Sequence, residues 1–270
     1  MKGEYEMAEK NMFDLSGRVA LVTGGGYGIG RSICEAMAEF GADVAIADIN
    51  EELAKETSGL LTKFGHRTLA IRADVSDSRA IDHMVNETVT KLGSIDILFN
   101  NAGFILGKFR IHETSDEVWD KTMAVNLKGV FLCTRAALPV MMKQKKGSII
   151  NTASIGGILP GDPELKSAIY NVAKAGVICF TRQAAAEYGR DGIRINAIAP
   201  GIIEGTNFAT VRRKNLSPEE AAKLREKRAE RIPLGRPGRP DDLKGIAVYL
   251  ASDASSYATG QVFVVDAGIF

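Results

Sequence analysis

Three cysteines, three histidines and one tryptophan in 270 residues leave little material for several kinds of chemistry. Cys34, Cys133 and Cys179 are far apart and form no CxxC pair, which excludes a disulfide framework. In their apolar helical contexts they read as buried thiols of a reducing compartment. His66, His83 and His112 lack metal-ligand spacing, and no metal is expected. Charge of one sign is also missing: 34 Lys and Arg against 33 Asp and Glu give a net charge of +1. No global field therefore argues for nucleic acid or a membrane surface. No apolar run approaches the ~20 residues of a membrane span. The first 13 residues are polar and acidic without an apolar signal region, and read as a flexible extension. A soluble, cytoplasmic protein is expected.

What is present is alternation. Short apolar runs at 18–24, 43–48, 67–73, 95–100, 147–153, 193–199 and 262–265 read as buried strands. Helical apolar spacing fills 28–40, a stretch from a cap at Asn50 to about 64, and 76–91. It returns at 123–143, with Pro139 inside as an expected kink, and at 167–188. The alternation predicts an α/β fold, a single doubly wound parallel sheet with helices on both faces. One domain over 14–270 accounts for the chain, with no linker. Composition shifts only at about 202–234, where a charged, helical insertion reads as a substrate lid over the ligand edge of the sheet. Within it, 212–231 holds eight Lys and Arg against four Glu. That pattern suits a solvated helix with pairs such as Glu219–Lys223 better than a lid attracting acidic substrates.

Two stretches carry chemistry. Between the first strand and first helix runs Thr23-Gly24-Gly25-Gly26-Tyr27-Gly28-Ile29-Gly30. Glycines let a backbone turn tightly and approach a pyrophosphate, and a helix N-terminus then offers free N–H groups. Asp48 closes the second strand, where an acid can accept from a ribose 2′-hydroxyl and repel a 2′-phosphate; it also reads as a simple helix cap. No Arg or Lys stands at Tyr27 or directly after Asp48, so NAD is favoured over NADP. Further on, Tyr170 and Lys174 are four apart and share a helix face. A nearby cation favours the phenolate; lowering a phenol from about 10 by ~3 units needs ~4 kcal/mol. Such a tyrosine can exchange protons with an alcohol or ketone near neutral pH.

In order and spacing these pieces resemble a short-chain dehydrogenase/reductase, over nearly everything from Phe13 to Gly268. Gly24, Tyr27, Gly28, Ile29 and Gly30 match the family's glycine-rich loop, and Asp48 its NAD-selecting acid. Asp74-Val75 matches the pair that contacts adenine, and Asn100-Asn101-Ala102-Gly103 the stretch closing the fourth strand. Asn126, Ser154, Tyr170 and Lys174 match the catalytic tetrad, and Pro200-Gly201, with Ile203 just beyond, the turn beside the nicotinamide. The resemblance implies strand order 3-2-1-4-5-6-7 and an NAD(H)-dependent oxidoreductase interconverting a secondary alcohol and a ketone. Tyr170 would be the general acid/base, and Lys174 would lower its pKa and hold the nicotinamide ribose. Ser154 would donate to the substrate oxygen, and Asn126 would hold a water linking Lys174 to solvent. A homotetramer through the helices at 123–143 and 167–188 is also implied.

Three departures stand out. Ser154 lies 16 positions before Tyr170, about three more than is usual in the family; Pro160, Gly161 and Pro163 fall in the longer loop, and Thr152 is the fallback hydroxyl. Thr206 comes one place late after Pro200-Gly201. Ala267 stands where glycine is commoner, a change expected to be harmless. An apolar wall of Phe104, Ile105, Ile155, Ile158, Leu159, Ile202, Ile203 and Phe208 suits an apolar alcohol or ketone, or plain loop packing. Rival readings are a 3-oxoacyl-[acyl-carrier-protein] reductase, a methyltransferase, which would need neither Tyr170 nor Lys174, and a non-catalytic nucleotide sensor on the same fold.

Overall fold

The computed structural model describes residues 11–160, 166–206 and 217–270. Seven strands, β1 Val19–Thr23, β2 Asp43–Asp48, β3 Thr68–Arg72, β4 Ile97–Asn100, β5 Gly147–Thr152, β6 Ile193–Pro200 and β7 Val262–Val265, form the sheet. Their order is β3-β2-β1-β4-β5-β6-β7, and every pairing is parallel. The expected fold class and strand order are therefore met. β1 and β4 are neighbours, in register from Ala20 opposite Ile97 to Val22 opposite Phe99. Winding reverses there, with β2 and β3 on one side and β5 to β7 on the other. A crevice opens at such a switch point, beyond the carboxyl ends of the strands.

The helices are α1 Gly28–Glu39, α2 Glu51–Leu61, α3 Ser78–Leu92, α4 Asp116–Met123, α5 Gly129–Gln144, α6 Ala168–Tyr188, α7 Pro218–Ala229 and α8 Lys244–Ala251. Because successive side chains in a strand point to opposite faces, the strands feed two cores. Leu21, Ala45, Leu98 and Ile149 pack under α3, α5 and α6. Ala20, Val22, Ile46, Phe99 and Ile150 pack under α1, α2 and α8. Between the layers runs a buried polar ladder. Asn100 donates to Thr134 Oγ1 (2.9 Å) and Asn151 Oδ1 (2.8 Å), and Asn151 donates to Thr181 Oγ1 (2.9 Å). It ties α5, β4, β5 and α6 together beneath the crevice.

The structure differs from expectation in several places. The helix expected at 123–143 begins at Asp116, because Ser115 caps it by accepting the Val118 N–H at 3.3 Å. It passes through a π turn, Ala124–Lys128, before α5, and α5 runs on through Pro139. The run Asp116–Gln144 is long and apolar enough by composition to cross a membrane, yet α5 lays Leu132, Cys133, Ala137 and Met141 against the sheet as a core helix does. α8 was not anticipated: its eight residues, KGIAVYLA, are apolar on too many sides for a helical period to stand out. Cys34 and Cys133 are buried, but Cys179 is exposed, on the side of α6 turned away from Val177 and Thr181. α7, within the charged insertion, exposes Glu219, Glu220, Lys223 and Glu226, half-buries Ala221, Leu224 and Ala229, and carries the Glu219–Lys223 pair at 2.9 Å; residues 207–216, with Phe208, lie outside the described residues, as do Gly161 and Pro163.

Ala267 is not harmless. Its φ is +63°, a left-handed conformation that costs an L-residue with a Cβ about 1–2 kcal/mol. Glycine relieves that strain and loses part of the gain through its freer unfolded chain. Ala267→Gly is therefore expected to stabilise the protein by about 0.5–1 kcal/mol, read as a higher midpoint in urea with an unchanged slope.

Candidate active site

Thr23 organises the floor of the crevice. Its hydroxyl accepts from the Asn101 and Ala102 N–H groups at 3.0 and 3.1 Å and donates to the Phe99 carbonyl at 3.2 Å. The Asn101 side chain returns the contact, donating to the carbonyls of Thr23 (3.1 Å) and Gly24 (3.3 Å). The ends of β1 and β4 are thus stapled together. Glycine is required at the crossing: Gly24 has φ +64°, and a Cβ there would lie 2.9 Å from Ala102 Cα, while one on Gly30 would collide with the Gly24 carbonyl oxygen. Above this floor lies a cleft of about 610 Å³, within the range of cofactor sites.

The cleft runs along the carboxyl ends of β2, β1, β4 and β5. Gly24, Tyr27, Gly28, Ile29 and Gly30 form its base at the start of α1. No side chain caps that helix N-terminus and no acid stands in its first turn, an arrangement that fits a phosphate group. Asp48 stands on the wall beyond. Its Oδ2 accepts the Gly26 N–H at 3.0 Å and its Oδ1 the Asn50 N–H at 2.9 Å. Asp74 and Val75 continue that wall, with Ile49, Leu53 and Ser76, which sequence reasoning missed. Ile49 and Leu53 had a signal: apolar residues one and five places after the strand-closing acid. The midsection is Asn101, Ala102 and Gly103, and Lys121 and Thr206 also reach the cleft.

Tyr170, Lys174 and Thr152 close the far end. Tyr170 and Lys174 share a face of α6 as their spacing requires, with the Lys174 ammonium 5.6 Å from the Tyr170 ring centroid. Lys174 Nζ donates to the Thr152 carbonyl at 2.6 Å. Only 3% of Lys174 is exposed, and burial pushes its pKa down from 10.5 to about 8. Beside Tyr170 lies a second recess of about 20 Å³, lined by Ile105, Phe109, Val118 and Ile169 among others. The Phe109 N–H donates to the Lys166 carbonyl at 3.2 Å, holding the loop after β4 to the entry of α6.

Five of the residues expected at the site do not line the cleft. Asn126 is fully buried in the π turn, with its amide committed to backbone. It donates to Thr122 and Phe104 carbonyls, both at 3.0 Å, and accepts the Phe104 N–H at 3.2 Å. A Cβ on Gly103 would come 2.8 Å from Asn126 Oδ1 and 3.6 Å from Lys174 Nζ, so Asn126 shapes the backbone in front of Lys174. Ser154 caps a short turn, Ile155–Gly157, accepting the Gly156 N–H at 3.1 Å; that turn packs on α6 at Lys174. Pro200 ends β6, and the Gly201 N–H donates to Val265 O at 3.0 Å. Ile203 bridges to Gly238. These three route the chain toward Thr206. Of the expected apolar wall, Phe104 reaches the cleft and Ile105 the small recess, whereas Ile158 and Leu159 are exposed.

Residues 24–269 match the family model described as enoyl-(acyl carrier protein) reductase. The chain belongs to the short-chain dehydrogenase/reductase family. Among its relatives, the 3-oxoacyl-[acyl-carrier-protein] reductase FabG of Thermotoga maritima is 41% identical, over 94% of this chain and 98% of that one. The uncharacterized oxidoreductase YxbG of Bacillus subtilis is 38% identical over 94% and 92%. Among solved structures, levodione reductase superposes with a TM-score of 0.88 at 35% identity, covering 94% of this chain and 98% of the other. A short-chain dehydrogenase/reductase of Mycobacterium marinum gives 0.87 at 35%, over 96% and 97%. This is an oxidoreductase family that uses nicotinamide cofactors, and the uncapped helix and glycine floor fit the pyrophosphate of one.

The burial of Lys174 has a consequence for stability. Its pKa is about 8 in the folded protein against 10.5 for the free group, so below pH 8 folding must bury an ammonium. Between the two values the unfolded chain binds a proton that the folded one lacks, and stability rises with pH. Lys174→Met should therefore be more stable than the parent at pH 7 by roughly 1–3 kcal/mol. The difference should shrink as pH rises from 8 to 10.5, measured by urea unfolding at a series of pH values.

Proposed function

We propose that this short-chain dehydrogenase/reductase interconverts a secondary alcohol and a ketone with NAD(H), Tyr170 acting as general acid/base. The observation that carries the reading is that Tyr170 and Lys174 end the same cleft that begins at the glycine floor and Asp48. A bound nicotinamide supplies the hydride acceptor or donor. The protein supplies the proton path and the orientation. Tyr170 Oη takes the alcohol proton in oxidation and returns it in reduction. The Lys174 ammonium, held by the Thr152 carbonyl, favours the phenolate and can donate to ribose hydroxyls. Ser154 Oγ accepts from Gly156 N–H, which leaves its own hydrogen to donate to the substrate oxygen, where charge changes during hydride transfer. Thr152 is the poorer candidate because its hydroxyl is directed to Asn101 Oδ1 at 3.3 Å. Asn126 holds Phe104 and the loop before it against Lys174.

NAD is assigned on Asp48, whose carboxylate faces the ribose end and repels a 2′-phosphate. The same acid weighs against the second reading, a 3-oxoacyl-carrier-protein reductase of the usual NADP-preferring kind, which the FabG similarity would otherwise favour. An apolar substrate is supported by Phe104, Ile105 and Phe109 around Tyr170. A homotetramer is supported by the exposed Phe131, Met142 and Val172 on α5 and α6. A reducing, cytoplasmic setting is supported by the unpaired thiols of Cys34 and Cys133, and a lid role for 202–234 by Thr206 at the cleft.

Tyr170→Phe should abolish turnover of secondary alcohols while NADH binding, followed by its fluorescence, persists; undiminished turnover would remove the assignment. Asp48→Ala should reduce the preference for NAD over NADP by about tenfold or more, and a wild type that reacts faster with NADP would refute the cofactor reading outright.

A further inference from the structure

Gly26 does not line the cleft, yet it is held at both ends. Its N–H donates to Asp48 Oδ2 at 3.0 Å. Its carbonyl, pointing behind the loop, accepts from Arg31 Nε at 3.0 Å, Arg31 Nη2 at 2.7 Å and Thr57 Oγ1 at 3.2 Å. Thr57 is fully buried. Arg31 is fixed in turn by Glu56 Oε1 at 3.0 Å and by Thr57 Oγ1 at 3.2 Å. A Cβ on Gly26 would lie 2.7 Å from Leu53 Cβ and 2.9 Å from Asp48 Oδ2, so the loop is pressed onto the carboxylate with no room to spare.

We infer that Arg31, acting through Gly26, sets the orientation of Asp48 and is a positioning residue for dinucleotide selectivity. The inference rests on the NAD reading above. A carboxylate oxygen accepts more than one hydrogen bond. With Oδ2 pinned by Gly26 and Oδ1 by Asn50, Asp48 keeps a fixed direction and still has lone pairs for a ribose diol. The Gly26 N–H and carbonyl lie in adjacent peptide planes joined at a glycine with wide φ/ψ freedom, so anchoring the carbonyl behind the loop removes most of the conformations in which the N–H would swing off Asp48. Three donors at that carbonyl enforce it, two of them from a planar guanidinium whose fork geometry a single ammonium cannot copy. Arg31 also brings a cation to this turn of the loop, and without restraint it would be a ready partner for a 2′-phosphate. Its pairing with Glu56 and its engagement behind Gly26 direct that charge away from the ribose. The same side chain thus strengthens the diol site and is withheld from the phosphate.

The test measures dissociation constants for NADH and NADPH by fluorescence, with thermal melting as a control on folding. Arg31→Met should weaken NADH binding by about tenfold and change NADPH binding by less than about twofold, the loss of a charge-assisted contact. Arg31→Lys should recover part of the loss, and Thr57→Val, nearly isosteric, should shift the ratio the same way by about threefold. In an Asp48→Ala background Arg31→Met should leave the ratio unchanged, because both act through one carboxylate. A folded Arg31→Met or Thr57→Val with the parent's ratio overturns the inference and leaves the NAD reading standing, as does an additive effect in the Asp48→Ala background. If Arg31→Met fails to fold, Thr57→Val decides. A parent protein that binds NADPH more tightly than NADH overturns both.

Discussion

Lys174 keeps an ammonium inside the protein, and the active end of the cleft is built to permit it. Around that group stand the Thr152 carbonyl, the Tyr170 ring and Gly103, where an added Cβ would lie 3.6 Å from the ammonium. Removing a charge from water is unfavourable unless fixed dipoles take over its solvation. Each replacement partner sits on a different element: Thr152 on β5, Tyr170 on α6 and Gly103 after β4. The charge is therefore tolerable only when the sheet, the helix and the loop are all in place. The polar ladder from Thr134 through Asn100 and Asn151 to Thr181 keeps those elements in register, since it crosses the same strands below the cleft. A phenol beside such a group meets a weakly solvated cation, which acts on it more strongly than a surface lysine would.

The π turn at Ala124–Lys128 belongs to the same construction. π turns are rare and concentrate at functional sites because they interrupt the regular ladder. Here the interruption brings Asn126 inward, where its amide satisfies both the N–H and the carbonyl of Phe104. A loop segment facing a buried cation cannot rely on water for its hydrogen bonds, and Asn126 provides them. Because a side chain larger than hydrogen at position 103 would strike Asn126 Oδ1, the glycine and the asparagine define a single contact.

The parallel sheet was legible because strands buried on both faces read as short apolar runs and the runs alternate with helices, whereas the order of its strands followed only from the family resemblance. Tyr170 and Lys174 were legible because four residues make one helical turn. Other features depend on contacts between distant residues and leave no local signal. Thr23 reads as one more strand residue until β4 is placed beside it. The π turn is AVNLK, with neither Gly nor Pro inside it to announce it, and Ser115 looked like a loop residue eight places before the expected helix. Ala267 carried the opposite fault: the substitution was visible, but only the backbone reveals that its φ is positive. α8 escaped because it is short and buried, so the amphipathic period on which helix reading depends is faint.

The two ends of the cleft carry opposite charges, Asp48 at the end of β2 and Lys174 beside β5. In the order β2-β1-β4-β5 they are three strand spacings apart, about 14 Å. Across that distance two unit charges interact by about 0.3–1.2 kcal/mol for effective dielectric constants between water and a protein surface. Burial alone shifts Lys174 from 10.5 to about 8, a differential of about 3 kcal/mol. Local desolvation therefore governs the Lys174 end, and Asp48 at the other end perturbs it only slightly. The separation makes the two ends independent in physical terms: changes around Gly26 and Asp48 have little effect on the protonation of Lys174. The converse fails at short range, because any change that lets water reach Lys174 raises its pKa and alters the field at Tyr170 in the same event.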